Sequence, residues 1–463
     1  MAKAWATFGS DLHLELAGSR GRATLERALR EAIQTGRLHP GTRLPSSRAL
    51  AQDLGVARNT IVEAYGQLVA EGWLTAVTGS GTRVAERIVE AVPPVAPPPA
   101  ARPIRYDLRA GHPDLSAFPR AAWLSAARKA VNAAPTDAFG YGDPRGRPEL
   151  RHALAGYLSR ARGVRTDAER IVVCNGFTQA LSLLCEVLAG RGATTLAVEA
   201  YGHRSHRELA RTRGMRVRET AVDAYGALVA GFGDAEAALL TPAHQFPLGV
   251  AMAAQRRTEA VRWAGATGAL IVEDDYDGEF RYDRQAVGAM QALAPRSVAY
   301  AGTASKTLAP GIRLGWLVAP AHLVDDVIAA KASADRNTSA LDQLTLAELI
   351  RSGGYDRHIR RCRLMYRRRR DRLVTLLRER APRVRVTGVA AGMHAVLELP
   401  PGCDEADAVA RARTRGLAVD GLGRFGSRDH RRPPALVIGY GTPPAHAFTT
   451  AIARLAAAVA DLA

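Results

Sequence analysis

The sequence predicts two domains of different architecture: a small helical module closed by a β-hairpin, then an α/β domain with a mostly parallel central sheet. Three observations predict this. Pro93-Pro-Val-Ala-Pro97-Pro-Pro99 and Pro103 make a stiff connector of polyproline type. Ahead of it, three amphipathic helices and two short strands follow one another closely. Behind it, apolar strand candidates alternate with helical stretches. The boundaries fall at 11–87 for the first domain, 88–105 for the connector and 106–463 for the second. A chain of 463 residues exceeds one ordinary hydrophobic core, which also favours division.

In the first domain Leu25, Leu29 and Ile33 mark helix one, ending near Gly36. Pro45-Ser46-Ser47 starts helix two, with Leu50 and Leu54 inward and Gly55 as its C-terminal stop. Ile61, Ala64, Tyr65, Leu68 and Val69 share one face of helix three. Trp73–Val77 and Thr82–Ala85 read as strands joined through Gly79-Ser80-Gly81. Two helices around a tight turn, followed by a hairpin, make a winged helix-turn-helix, a double-stranded DNA reader. Arg58, Asn59 and Thr60 open helix three and are not needed on its apolar face. At that place arginine suits guanine edges and asparagine suits adenine. Arg43, Ser46 and Arg48 surround the start of helix two, where phosphates are held, and Gly81 at the wing tip allows close approach to a groove.

In the second domain the strand candidates are Ile171–Cys174, Thr195–Glu199, Ala237–Leu240, Ala269–Glu273, Ser297–Ala301 and Leu314–Ala319, with helices such as Thr178–Leu188 and Arg256–Ala266 between them. Sheets of this kind carry ligands at the carboxyl ends of their strands.

Composition narrows the function classes. No apolar run reaches the roughly 18 residues of a membrane span. Asp11, His13 and Glu15 interrupt any signal-peptide core, and Cys174, Cys185, Cys362 and Cys403 fit neither a metal set nor a disulfide framework. A cytoplasmic setting is expected, with no metal. The net charge of +18 suggests an acidic partner, yet residues 11–90 are nearly balanced and the densest basic run is Arg357–Arg385. That run reads as a solvated helix face or, alternatively, as an electrostatic aid to DNA approach.

Among 63 lysines and arginines only four are lysines: Lys3, Lys129, Lys306 and Lys331. Lys306 lies in Gly302-Thr-Ala-Ser-Lys306-Thr-Leu-Ala-Pro-Gly-Ile-Arg313. A lysine can lose its proton and form a Schiff base, which an arginine cannot. Thr303, Ser305 and Arg313 suit a phosphate, so the set points to pyridoxal 5'-phosphate. The other parts of such a site have candidates. Asp274 or Asp275 ends a buried strand and can face the ring nitrogen. Tyr276 can donate to the ring's phenolic oxygen, and Tyr201 can stack on its face. Gly176, Phe177 and Thr178 lead a helix whose N-terminus takes a phosphate. His244 and Gln245 lie on a loop expected at the ring's other edge.

The stretch Leu38-His-Pro-Gly41-Thr-Arg-Leu-Pro-Ser46-Ser-Arg48, continued by Leu54-Gly-Val-Ala-Arg58-Asn-Thr-Ile, resembles the winged helix of GntR-type bacterial regulators. Ala57 departs from it, standing where a capping serine or threonine is usual. Residues 105–463 resemble fold-type I aminotransferases. The wording Glu273-Asp-Asp-Tyr-Asp-Gly-Glu-Phe-Arg-Tyr282, His244-Gln-Phe-Pro and Ser305-Lys-Thr-Leu-Ala-Pro-Gly311 is similar to the MocR subfamily, which joins the two modules.

The resemblance implies that Lys306 carries the cofactor covalently, Asp274 faces the ring nitrogen and Tyr276 the ring oxygen. It implies a head-to-tail homodimer on DNA and a transcription factor that senses pyridoxal phosphate, or an amine or amino acid reacting with it. On this reading the fold is used for sensing, with at most a weak transaminase half-reaction. The alternative is an aminotransferase with an accessory DNA-binding domain. Ala435 stands near the place of the aminotransferases' carboxylate-binding arginine, with Arg431 and Arg432 just before it, which weakens that alternative.

Overall fold

The computed structural model describes residues 21–77, 81–86, 104–282, 287–427 and 429–460. Most of the connector read at 88–105, and Gly79-Ser80 of the wing, lie outside the described residues. The chain divides into two compact units, residues 1–101 and 102–463.

The first unit holds helices α1 (Arg22–Gln34), α2 (Ser47–Leu54) and α3 (Arg58–Ala70), then strands β1 (Leu74–Val77) and β2 (Gly81–Val84). The Ser46 hydroxyl accepts from the Ala49 amide at 3.2 Å and so caps α2. Gly55 stops that helix in the left-handed region, at φ 64°. Ala57 starts α3 with no side-chain cap, because it has no oxygen to offer. One core joins the three helices and the hairpin through Leu29, Leu50, Ile61 and Leu68, all fully buried. Strands β1 and β2 are antiparallel, and Arg43 extends the ribbon by bridging to Arg83.

The second unit opens with β3 (Tyr106–Asp107), α4 (Arg120–Ala133) and α5 (Pro148–Arg162). There follow β4 (Ile171–Cys174), α6 (Phe177–Gly190), β5 (Thr195–Glu199), α7 (Arg204–Thr212) and β6 (Arg216–Thr220). After the small ribbon of β7 (Val222–Asp223) and β8 (Gly226–Ala227) come β9 (Ala237–Leu240), α8 (Ala254–Thr267), β10 (Leu270–Asp274), β11 (Val298–Thr303) and β12 (Gly315–Val318). The main sheet has seven strands in the order β4-β12-β11-β10-β9-β5-β6. Its strands pair in parallel except β12, which runs antiparallel to both neighbours. Helix α6 packs on one face of the sheet, and α5 and α8 lie on the other. Strands β4, β5, β9 and β10 are buried along their whole length, which is why they read as apolar runs.

Helices α9 (Val324–Asp335), α10 (Ala340–Arg351) and α11 (Gly354–Arg380) lead to a separate layer. It contains β13 (Arg385–Thr387), β14 (His394–Glu398), α12 (Glu405–Thr414), β15 (Leu417–Ala418), β16 (Asp420–Gly421), β17 (Ala435–Gly439) and α13 (Ala445–Ala460). Strands β13, β14, β17 and β16 form an antiparallel sheet against α11, α12 and α13, and β15 pairs with β3. Neither this second sheet nor the edge strand β6 is among the sequence-predicted strands. Among the described residues no helix is long and apolar enough to cross a membrane.

Candidate functional site

Strands β9, β10 and β11 end together, and the chain leaving them encloses a cavity of about 280 Å³. Lys306, Asp274 and Tyr276 reach into it, with Thr303, Ser305 and Arg313 along one end.

Lys306 follows β11 by three residues, and its Nζ donates to the Gly111 carbonyl oxygen at 2.7 Å. Burial lowers its pKa, opposed by the charges of Asp274 and Asp277. Alternation along β10 and its exit separates the two neighbouring aspartates. Asp274 faces the cavity, and its buried Oδ1 has no hydrogen-bond partner among the described residues. Desolvation holds its pKa well above the usual carboxylate range, against the pull of Lys306. Asp275 turns away and takes Arg162 Nε at 2.7 Å and the Tyr300 hydroxyl at 2.8 Å. Tyr276 lines the cavity, and desolvation, then the charge of Asp277, raises its pKa well above that of a free phenol.

The end near Arg313 has the donors an anion would need. Helix α6 starts at Phe177, so its first amides lack helical acceptors and its dipole favours negative charge. Gly176 precedes it at φ 82°, and a Cβ there would lie 3.1 Å from Arg313 Nη1. A side chain there would oblige the guanidinium to give way by a few tenths of an ångström. Arg313 itself sits at φ 56° and donates to the Asn175 carbonyl oxygen. The Thr303 hydroxyl accepts from the Ser305 amide at 3.1 Å, which folds the turn between β11 and Lys306. Asn175 Nδ2 and Gln179 Nε2 each donate to Asp335 Oδ2 at 2.7 Å, and the fully buried Lys331 pairs with the same carboxylate.

Aromatic rings make the opposite wall. The His203 ring is stacked on Phe246 at 4.2 Å, and His206 lies between His203 and Phe177. Burial depresses His203 to about 4 and His206 to about 3, so both stay neutral at ordinary pH. Tyr201 also lines the cavity, with its ring near the Arg432 guanidinium and against Gly426. The sequence reading passed over His203, His206, Glu199 and Gly111. The two histidines share the loop after β5 with Tyr201, and that position was the one available signal. Desolvation raises the Glu199 carboxyl to about 7, although Thr241 and Gln245 donate to it.

His244 and Gln245 were expected at the ring's edge and do not line the cavity. Gln245 Nε2 donates to the carbonyl oxygens of Tyr201 at 2.8 Å and Phe246 at 2.7 Å, so it braces the wall from behind. His244 stands behind Tyr276, 3.1 Å from its hydroxyl. Among the described residues, the stretch before β17 brings no arginine to the cavity. Arg432 Nη2 donates to the Val222 carbonyl at 2.6 Å, Arg431 is exposed, and Ala435 is buried in the strand. Arg207 does reach the cavity, but its Nη2 is held by the Glu199 and Ala200 carbonyls at 2.9 and 2.7 Å.

In the first unit Arg58 and Asn59 are exposed at the start of α3, Thr60 is half-buried, and Arg43, Ser46 and Arg48 are exposed. The Tyr65 hydroxyl donates to the Pro45 carbonyl oxygen at 3.1 Å, tying α3 to the segment that starts α2. Gly81 has φ 90°, and a Cβ there would meet Arg43 Nε at 3.2 Å. These six side chains and Gly81 belong to one small unit.

The family model for bacterial regulatory proteins of the gntR family matches residues 22–84, and that for aminotransferase class I and II matches residues 106–432. The chain is 32% identical over 414 residues to the HTH-type pyridoxine biosynthesis transcriptional regulator PdxR of Corynebacterium glutamicum, covering 87% of this chain and 88% of that one. It is 33% identical over 373 residues to the probable rhizopine catabolism regulatory protein MocR of Rhizobium meliloti, covering 76% of each. The kynurenine aminotransferase of Pyrococcus horikoshii superposes with a TM-score of 0.69 at 26% identity, covering 78% of this chain and 91% of that one. A GntR-type winged helix ahead of an aminotransferase fold, with relatives of this kind along both, means that the chain belongs to the MocR-type transcriptional regulators.

Proposed function

We propose that this regulator binds pyridoxal 5'-phosphate through Lys306, and that its grip on double-stranded DNA changes with the state of that site. The effector is the cofactor itself or a small amine that competes with Lys306 for it. One observation carries the reading: a half-buried lysine and a buried, unpartnered carboxylate share a cavity with an anion seat at one end. The cofactor, when bound, supplies an electrophilic carbonyl carbon to amines. Lys306 Nζ has its pKa lowered by burial and is the group to hold that carbon. Asp274 is the group to keep the ring nitrogen protonated, and the start of α6 with Thr178, Ser305 and Arg313 would hold the phosphate. His203, stacked on Phe246 within the cavity wall, joins Tyr201 as a candidate face for the ring.

DNA contact is assigned to Arg58, Asn59 and Thr60 for base edges and to Arg43, Ser46, Arg48 and Gly81 for the backbone. A homodimer presents two such heads to paired half-sites. Sensing then requires a coupling free energy of about 1–3 kcal/mol between the two sites.

Adding pyridoxal phosphate to the purified protein is expected to give a long-wavelength absorbance band, and borohydride is expected to fix the label on Lys306. Lys306→Ala should lose the band and the change in DNA affinity while retaining basal DNA binding. A Lys306→Ala protein that responds normally refutes the reading. An aminotransferase with an accessory DNA-binding domain would turn over repeatedly with an amino acid and a 2-oxo acid. Against it stands the tethering of Arg207 and Arg432 to backbone carbonyls.

A further inference from the structure

Behind the cavity wall lies a sealed group of side chains to which the proposed function gives no task. His244 stands on the loop after β9, Asp277 on the turn after β10, and His394 opens β14. His244 and Asp277 are each 2% exposed, and His394 is 4% exposed. His244 Nδ1 lies 2.8 Å from Asp277 Oδ2 and 3.1 Å from the Tyr276 hydroxyl. His244 Nε2 is buried with no partner among the described residues. The neighbouring His394 ring is 4.8 Å away, and its own Nε2 is engaged by the Pro247 carbonyl at 3.0 Å. Gly392 presses on this group, since a Cβ there would lie 2.2 Å from His244 Cε1.

These contacts fix the histidine's tautomer. Were Nδ1 bare, its lone pair would face a carboxylate at 2.8 Å in a dry pocket, and the Nε2 hydrogen would have no acceptor. The hydrogen therefore sits on Nδ1 and is directed to Asp277, the nearer and charged acceptor. Tyr276 meets that N–H only as a second acceptor. Its own hydrogen is not taken by His244; the acceptors left to it are Asp277, which raises the phenol's pKa, and whatever oxygen a guest brings to the cavity.

We propose that Asp277 and His244 are positioning residues that hold the Tyr276 hydroxyl as a hydrogen donor aimed into the cavity, toward the phenolic oxygen of a bound pyridine ring. The proposal rests on the reading that the cavity takes pyridoxal phosphate. The other titratable groups facing Tyr276 are Asp274 at the end of β10 and Glu199 at the end of β5; Lys306 lines the same cavity, and His394 at the start of β14 lies against His244.

The experiment is a pH titration of the long-wavelength band of the full-length, cofactor-loaded protein, for wild type, Tyr276→Phe, His244→Asn, Asp277→Asn and the double variant of the last two. A donor to the ring's phenolate oxygen lowers the proton affinity of the chromophore, so losing it moves the midpoint up. We expect a rise of about one pH unit, a tenfold change, in Tyr276→Phe. His244→Asn and Asp277→Asn should each move the midpoint the same way and no further than Tyr276→Phe, and the double variant should move no further than either single one. Circular dichroism and basal DNA binding verify folding, and where Asp277→Asn fails to fold, His244→Asn carries the test alone. Unchanged midpoints in the His244 and Asp277 variants beside a shifted Tyr276→Phe overturn the proposal. So does a stoichiometric divalent metal in wild type that is lost in Asp277→Asn, because His244, Asp277 and His394 would then be its ligands. A wild type with no band refutes the cofactor reading first, and this proposal with it.

Discussion

The two units use the same residue, arginine, in opposite ways. In the winged helix Arg43, Arg48 and Arg58 are exposed around the start of α2 and α3. In the aminotransferase-like unit Arg162, Arg207 and Arg369 are buried, and each is bound to acids and backbone carbonyls. Arg162 holds Asp275 and the Gly278 carbonyl, Arg207 holds Glu219, and Arg369 holds Asp114 and the Gly441 carbonyl. The first set is available to an outside anion and the second is spent on the scaffold. Net charge alone therefore says little about where nucleic acid binds; the local satisfaction of each guanidinium says more.

Arg162→Met is the strongest way to break the contrast. It leaves Asp275 charged, buried and without its main partner, and should cost the second unit about 3–5 kcal/mol. Urea unfolding followed by the tryptophans of that unit checks it, and the melting of an isolated 21–86 fragment gives the reference for the first unit. Arg58→Ala should leave stability alone, weaken operator binding by about 1–3 kcal/mol and relax preference at one base position. Competition binding across operator variants measures both. A uniform loss across all sequences would move Arg58 to the phosphate-holding group.

Smaller effects sharpen the same division. His206 stays neutral in the fold down to about pH 3, whereas an unfolded histidine takes up a proton near its ordinary 6.5. Acidification below that value therefore draws the chain toward the unfolded state, and stability contributed by neutral His206 is lost as the pH falls. Because the side chain is only partly buried by surface area, the effect between pH 6.5 and 5 is on the order of 1 kcal/mol. His206→Gln should flatten that part of the melting profile relative to wild type. In the first unit, Ser46→Ala should cost about 1 kcal/mol and Ala57→Ser should add up to about as much, since one helix has a cap and the other lacks it. Thermal melts of the 21–86 fragment read both.

Much of this was legible from local chemistry. Lys306 stood out because the chain spends lysine so rarely, and the strand ends beside it named Asp274, Tyr276 and Gly176. Local pattern could not choose between Asp274 and Asp275; that choice is made by Arg162, more than a hundred residues away in sequence. Strand β6 was missed because an edge strand reading Arg-Val-Arg-Glu-Thr lacks the apolar run of its buried neighbours. The sequence left the direction of β12 open, since an apolar strand buried on both faces carries no mark of direction. The antiparallel sheet of β13, β14, β16 and β17 pairs segments far apart in sequence, and its register has no local signature. His203 and His206 were overlooked because a histidine after a strand looks the same whether it faces solvent or a wall of rings.

The lysine sealed beneath the anion seat has a consequence for what the regulator can recognise. With Lys331 fixing Asp335, and Asp335 gripping both amides of the turn, the seat is formed before any guest arrives. If, as proposed, this seat holds a phosphate, little freedom remains to be lost on binding, and the seat by itself favours no one phosphate ester over another. On the proposed function, discrimination then falls to the far end of the guest, where a carbonyl carbon could condense with Lys306.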